Sequence, residues 1–209
     1  ALQTEAERVA QLHREEGLTV AVIEQEKIFN EFSSGTPDAS AYRRLMKMFY
    51  DRAEGNENVR PRYLLLFGDG SYNNRKSMEK LHSPECNMLL TYQSKTSIDE
   101  RESFVIEDYF GFLENNSGEE IKVDKVCLGI GRFPISSIKN ARLVVDKLYR
   151  YVHDKDFSSW KNNICIAADD GDEAIHAEQA DRGSDTLLLK NTSQPRLGFR
   201  VNKIYIDSY

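Results

Sequence analysis

The sequence has little that would place it with nucleic-acid-binding or membrane-spanning proteins. Its 209 residues carry 28 basic and 34 acidic side chains, a formal net charge of -6. No basic block stands out, so nucleic acid is not an expected partner. No apolar run approaches the roughly 20 residues that a membrane helix needs. No signal peptide opens the chain, although a mature segment of an exported protein would lack one too.

Cysteine is also scarce, with three residues whose spacing does not fit a metal site. Cys127 and Cys165 lie in apolar runs, where a free thiol behaves as a small hydrophobic side chain. Cys86 lies in a polar loop. Because none of them sits in a glycine-rich loop with a partner histidine, the residues themselves favour buried or incidental thiols over a nucleophile.

What the sequence does contain is an alternation of short apolar runs and amphipathic stretches. The apolar runs predict strands over residues 18–23, 63–67, 126–130, 163–168 and 199–206. The amphipathic spacing predicts helices over residues 4–16, from the Thr36-Pro37-Asp38 start to residue 53, from Ser136 or Ser137 to 152, and over 173–181. Residues 25–35 are predicted as a loop, and the secondary structure of residues 185–196 is left open.

This alternation predicts an α/β fold with an open, mostly parallel sheet of about five strands and helices on both faces. We expect one α/β subdomain over residues 1–209. A parallel strand normally returns through a helix that covers the sheet, whereas this chain stops within three residues of its last predicted strand. The sequence therefore predicts a piece of a longer protein.

The most informative stretch follows the predicted strand 163–168, where Asp169, Asp170, Asp172 and Glu173 surround one glycine and His176 comes three residues later. In one interpretation these acids form a turn, and Asp172 or Glu173 caps the next helix. In the other they bind a cation, a basic substrate group or a catalytic histidine, since chemistry in open α/β sheets collects where strands end.

A second acid, Asp69, lies in the Gly-Asp-Gly turn that closes the predicted strand 63–67. Together with Asp169 and Asp170 it could form an acidic pocket suited to Mg²⁺. The alternative function is therefore a divalent-metal-binding α/β module with no peptidase role. Arg132, at the end of another predicted strand, is interpreted as a structural ion-pair partner rather than a substrate contact.

Several motifs, taken in order, resemble the N-terminal half of gingipain-type cysteine peptidases. They are YLLLFGDG at 63–70, EDYFG at 107–111, GIGRFP at 129–134, the lone tryptophan at 160 and IAADDGD at 166–172. Residues 30–38 and 41–44 are similar to the branch of the family that serves the type IX secretion system of Gram-negative Bacteroidetes. The resemblance covers nearly the whole chain, and its specificity comes from the order and spacing of the motifs.

The resemblance implies a caspase-like α/β peptidase domain of two subdomains, of which this chain is the first. The family's catalytic histidine lies in a Gly-His-Gly motif and its cysteine follows a further strand; neither motif occurs here. We therefore expect both residues after Tyr209 and expect this chain alone to be inactive. Asp170 matches an acid near the catalytic histidine. Glu173 matches the acid that lines the pocket for a basic P1 side chain, and His176 and Asp69 are assigned to the substrate side.

The resemblance requires no cofactor, but gingipains hold structural calcium, and Asp169 and Asp172 offer the oxygen ligands that calcium prefers. The implied partners are secreted cargo proteins with a C-terminal signal, which the parent enzyme removes before attaching the cargo, and other secretion components. The implied location is the outer membrane or cell surface. Two departures leave selectivity for arginine open: the turn is more acidic than in gingipains, and Gly70 replaces a histidine.

Overall fold

The computed structural model describes residues 2–75, 88–96, 98, 99, 101–121, 123–156, 158–194 and 198–206, except the side chain of Asp172. The chain divides into two compact units, Ala1–His153 and Asp154–Tyr209. Each unit combines helices with a pair of parallel strands. The single subdomain predicted over residues 1–209 stays a prediction.

The first unit pairs two parallel strands that lie far apart in sequence. Its elements are α1 (Gln3–Glu15), α2 (Gln25–Phe32), α3 (Ser40–Arg52), β1 (Tyr63–Phe67), a 3₁₀ turn (Asp108–Gly111), β2 (Gly129–Phe133) and α4 (Ile138–Val152). Tyr63 lies opposite Gly129, and the pairing runs to Phe67 opposite Phe133. Both strands therefore end at the same edge of the sheet, where Gly68 and Asp69 follow β1.

The second unit is a strand-helix-strand arrangement. Its elements are a 3₁₀ turn (Ser159–Asn162), β3 (Asn163–Ala168), α5 (Gly171–Ser193) and β4 (Arg200–Tyr205). β3 and β4 pair in parallel, with Asn163 opposite Arg200. The carboxylate of Asp181 on α5 accepts hydrogen bonds from Lys203 Nζ at 2.6 Å and from the hydroxyl of Tyr205, which ties the helix to β4.

The predicted α/β fold with parallel strands is confirmed, and four of the five predicted strands are present, although the one predicted over residues 126–130 lies at Gly129–Phe133. The described strands form two separate pairs in place of the one sheet of about five strands that the sequence predicts. The prediction of a strand over residues 18–23 is wrong, since this segment has no regular secondary structure. Its backbone forms hydrogen bonds with residues of α1 instead. The guanidinium of Arg14 donates to the carbonyl of Val20 at 3.1 and 2.8 Å, and the amide of Leu18 donates to the carbonyl of His13.

The helices also differ from the predictions at several ends. Residues 25–35, predicted as a loop, contain α2, whose Ile28 and Phe29 are buried and supply enough packing for a short helix. α3 begins at Ser40 rather than at Thr36, because Asp38 accepts the amide of Ser40 at 2.8 Å. The predicted start of α4 is confirmed: the hydroxyl of Ser137 accepts the amide of Asn140.

The main core of the first unit is aromatic and lies between α2, α3 and the strand β1. Its most buried members include Phe29, Ala41, Tyr42, Leu66 and Phe110. The ring of Tyr42 packs edge-on against Phe110, with 5.5 Å between ring centroids. This core fixes the 3₁₀ turn beneath the end of the sheet, and thereby positions Glu107, the residue just before that turn.

Candidate functional site

Asp69 lies at the carboxyl edge of the first sheet, and both its backbone and its side chain form hydrogen bonds there. The amide of Asp69 donates to the carbonyl of Ile135 at 3.2 Å, and its own carbonyl accepts the amide of Leu89 at 2.7 Å. Its carboxylate accepts the amide of Gly70 at 2.8 Å. Asp69 is half-buried, so one predicted substrate-side residue is fixed in place at a strand end.

Arg132, at the carboxyl end of β2, joins the elements around Asp69. Its Nε donates to Glu107 Oε1 at 2.7 Å, in an ion pair whose arginine side chain is only 11% exposed. Its two terminal nitrogens donate to the carbonyls of Gly68, Asp69 and Leu90 at 3.1–3.3 Å. The prediction that Arg132 is structural is confirmed, and its partner is Glu107.

Gly70 has no side chain, and Thr91 and the guanidinium of Arg132 occupy the space beside it. A Cβ atom on Gly70 would lie 2.7 Å from Thr91 Cγ2 and 3.2 Å from Arg132 Cζ. The first of these separations is shorter than van der Waals contact allows. A histidine at this position would therefore have to displace Thr91 and the guanidinium of Arg132.

At the carboxyl end of β3 the acidic turn pairs with its histidine. Asp169 follows the strand directly, and its Oδ1 lies 2.5 Å from Nδ1 of His176, on the second turn of α5. This hydrogen bond is the main reason that the pKa of Asp169 lies below its ordinary value. His176 therefore meets Asp169, whereas the family resemblance linked it by spacing to Glu173.

The pairing predicts a measurable titration. A carboxylate with a lowered pKa stabilises the folded state above its ordinary pKa, and that contribution is lost as the pH falls through the lowered value. In an NMR titration, the Asp169 carboxyl carbon should titrate below an ordinary aspartate, and His176→Asn should shift it back upward. The control His153→Asn should leave it in place. An Asp169 pKa that is the same in both variants and the parent chain would contradict the pairing.

The start of α5 shows that neither Asp172 nor Glu173 occupies the cap position. The helix begins at Gly171, so Asp170 is the N-cap residue, and its side chain makes no capping hydrogen bond. The prediction that Asp172 or Glu173 caps this helix is therefore wrong. The side chain of Asp172 lies outside the described part of the chain.

Glu173 combines an exposed carboxylate with an unusual backbone. Glu173 and Ala174 have φ values of 59° and 63°, in the left-handed region that L-residues avoid at roughly 1–2 kcal/mol each. Strain of this kind tends to concentrate at functional sites. This is an observation in favour of the assignment of Glu173 to substrate binding, which stays a prediction, as do the roles of Asp170, His176 and Asp69.

The described acids of the turn do not gather into a metal site. Within the described residues, no group of three or more histidine, cysteine, aspartate or glutamate side chains converges as a metal site would. Asp169 is directed to His176 instead. Calcium at Asp169 and Asp172 stays a prediction. So does the acidic Mg²⁺ pocket, because Asp69 and Asp169 belong to different units.

In each described histidine, Nδ1 lies within hydrogen-bonding distance of an oxygen atom. His13 meets Glu16 at 2.8 Å, His153 meets the carbonyl of Tyr149 at 2.9 Å, and His176 meets Asp169. Of the cysteines, Cys127 is half-buried. Cys165 is exposed, which corrects the prediction that it packs as a buried hydrophobic side chain. Cys86 lies outside the described residues.

The pair Glu107–Arg132 is the arrangement that sequence reasoning missed. Both residues belong to motifs that the sequence singles out, EDYFG and GIGRFP, but 25 positions separate them. Among the described side chains, Glu107 Oε2 is buried without a hydrogen-bond partner. An acid and an arginine at neighbouring element ends could have suggested the pair, because a buried charge normally has a counter-charge.

The parallel strands with acids near their carboxyl ends define an α/β domain, and comparison with known proteins gives the family. The sequence model of peptidase family C25, the gingipain family, matches residues 1–209, and the chain belongs to this family. Among solved structures it is similar to PorU of Porphyromonas gingivalis, described as dimeric and latent, with 42% identity and a TM-score of 0.66. That match covers 77% of this chain and 16% of the PorU chain. No curated protein matches.

Proposed function

We propose that this chain is the N-terminal part of the catalytic domain of an exported cysteine endopeptidase of the type IX secretion system. In this proposal the whole enzyme removes C-terminal sorting signals from secreted cargo and attaches the cargo at the cell surface. The observation that carries it is the C25 family match over residues 1–209, together with 42% identity to PorU. Of the described helices, none has the length and apolar character to cross a membrane.

The proposed chemistry begins with a cysteine thiolate that attacks the scissile carbonyl carbon and forms a thioester, while a histidine protonates the leaving amine. In hydrolysis, water releases the acyl group. In sortase chemistry, an amine or hydroxyl nucleophile on the acceptor does so instead. The sequence contains no Gly-His-Gly motif, and we propose that the catalytic histidine and cysteine lie outside these 209 residues.

In this proposal the acids at the strand ends act on that pair and on the substrate. Asp170 would accept a hydrogen bond from the catalytic histidine and hold its ring in the productive orientation. Glu173 would face a basic substrate side chain, since its carboxylate is exposed and belongs to a first helical turn with two left-handed residues. Asp69, held by Gly70 and by the backbone of Ile135, would belong to the substrate side.

The proposal predicts that the 209-residue chain has no peptidase activity. The chain should be incubated with fluorogenic peptides that carry lysine or arginine before the cleaved bond, beside the variants Cys86→Ser, Cys127→Ser and Cys165→Ser. All four proteins should give the same background rate. Turnover that is lost in one of the serine variants would contradict the assignment of the nucleophile to another part of the protein.

The coding sequence after Tyr209 gives an independent check of the same proposal. A Gly-His-Gly motif is expected within about forty residues, the span of a helix and a strand that complete one more α/β unit. A downstream sequence without that motif or a later cysteine would contradict the peptidase role, whatever the activity of the isolated chain.

A further inference from the structure

A basic pocket lies at the amino ends of β1 and β2, the opposite end of those strands from Asp69. It has a volume of about 400 Å³, and Arg60, Arg62 and Tyr63 contribute to its lining together with Cys127, which precedes β2. Because Asp69 follows the carboxyl end of β1, this pocket is separate from it within the first unit.

The sequence Arg60-Pro61-Arg62 brings two arginines into the lining of one pocket. The carbonyl of Arg62 accepts the amide of Gly129 at 2.9 Å, which extends the β1–β2 pairing to this residue. The pairing therefore fixes the backbone of Arg62, and Arg60 lies two residues before it in a bend.

The guanidinium of Arg60 is held without a counter-ion. It lies over the ring of Tyr50, 4.2 Å from the ring centroid, and donates to the Tyr50 hydroxyl. Glu57 also lines the pocket. Across the described part of the chain, however, no carboxylate lies within ion-pair distance of Arg60 or Arg62. Two arginines thus line one pocket, and neither forms an ion pair with an acid in the described part of the chain.

The surface beside the arginines is apolar and exposed. Val59 and Tyr63, which flank the Arg-Pro-Arg run, are 64% and 69% exposed. An inorganic anion would satisfy the guanidinium groups but would leave these side chains in water. An acidic peptide with apolar residues next to its carboxylates would cover both.

We propose that this pocket binds a carboxylate side chain of an acidic, partly apolar protein segment. The planar fork of an arginine matches the two oxygens of a carboxylate, and such charge-assisted pairs are the stronger hydrogen bonds in proteins. Arg60, oriented by Tyr50, and Arg62, at the start of β1, each supply a fork. This proposal uses the first unit alone and does not depend on the peptidase function.

The test uses the 209-residue chain and a fluorescein-labelled peptide of alternating glutamate and leucine, followed by fluorescence polarisation. The matched probe replaces each glutamate by glutamine. Arg62→Gln should weaken binding about tenfold, the loss of one charge-assisted hydrogen-bonding group. Glu57→Gln should tighten binding severalfold, because it removes a like charge from the pocket. Cys127→Ser, which changes an uncharged lining residue, should bind as the parent does.

Opposite effects of the two glutamine variants distinguish this site from general surface charge. Equal binding of the two peptides, or equal affinity of the parent and Arg62→Gln, would overturn the proposal. Inorganic phosphate should compete weakly. If phosphate binds at Arg62 while the peptide does not, the pocket is a free-anion site and the peptide assignment is wrong. Arg62→Lys keeps the charge without the fork and should be intermediate, and circular dichroism should show that each variant is folded.

Discussion

Replacement of Arg132 by methionine is expected to lower the free energy of unfolding of the first unit by about 3 kcal/mol, the lower end of what breaking a buried ion pair costs. The variant would leave the carboxylate of Glu107 without its cation. It would also remove the donors of three carbonyl groups at the carboxyl edge of the sheet. Urea unfolding followed by far-ultraviolet circular dichroism measures the change.

As a control, the same unfolding experiment includes an arginine whose replacement should change the stability little. Arg52 is exposed at the end of α3, and Arg52→Met should change the stability by less than about 0.5 kcal/mol, as surface substitutions do. The double variant Glu107→Met with Arg132→Met should be less destabilised than the sum of the single variants, because it leaves neither charge unpaired. An Arg132→Met variant as stable as Arg52→Met would show that the network carries no stability.

Phe110→Ala is expected to lower the unfolding free energy of the first unit by about 4 kcal/mol, in the range measured for large-to-small changes in cores. Phe110 is fully buried in the aromatic core. Its ring packs edge-on against Tyr42 and against Tyr109, with 5.5 and 5.8 Å between centroids. Removal of the ring would open a cavity under the turn that positions Glu107.

A matched phenylalanine lies on α3. Phe49 is 40% exposed, so Phe49→Ala should cost about 1 kcal/mol, since only part of its apolar surface leaves water on folding. Phe110→Leu keeps most of the buried volume and should cost about 1.5 kcal/mol. The measurement is the same urea unfolding. If Phe110→Ala loses no more stability than Phe49→Ala, Phe110 is not the centre of the core.

Some strands were predictable from the sequence, and one short helix was not. Runs such as YLLLF and NICIAA are short, apolar and bounded by turn residues, which few other structures produce. α2 is only eight residues long and has no clear start signal, so packing of Ile28 and Phe29 decides its structure. α5 continues past Gly183, and the buried Ser184 donates its hydroxyl to the carbonyl of Ala180 within the helix.

The candidate site was predictable only where it depends on position along a strand. The acids at 69, 169 and 170 lie within two residues of a strand end, so a sequence pattern places them. The pairing of Arg132 with Glu107 depends on how elements that are distant in sequence pack together, and a single sequence does not show this packing. The left-handed backbone at Glu173 was equally hidden, because a glutamate gives no signal for a positive φ angle.

The segment LTVAVI at residues 18–23 has the composition of an aggregation-prone hexapeptide: apolar, β-branched and uncharged. Left open, its backbone would be a template to which another chain could add a strand. The Arg14 guanidinium on the Val20 carbonyl and the Leu18 amide on His13 occupy two of those groups. One arginine side chain thus occupies a carbonyl group that a strand added from another chain would otherwise use.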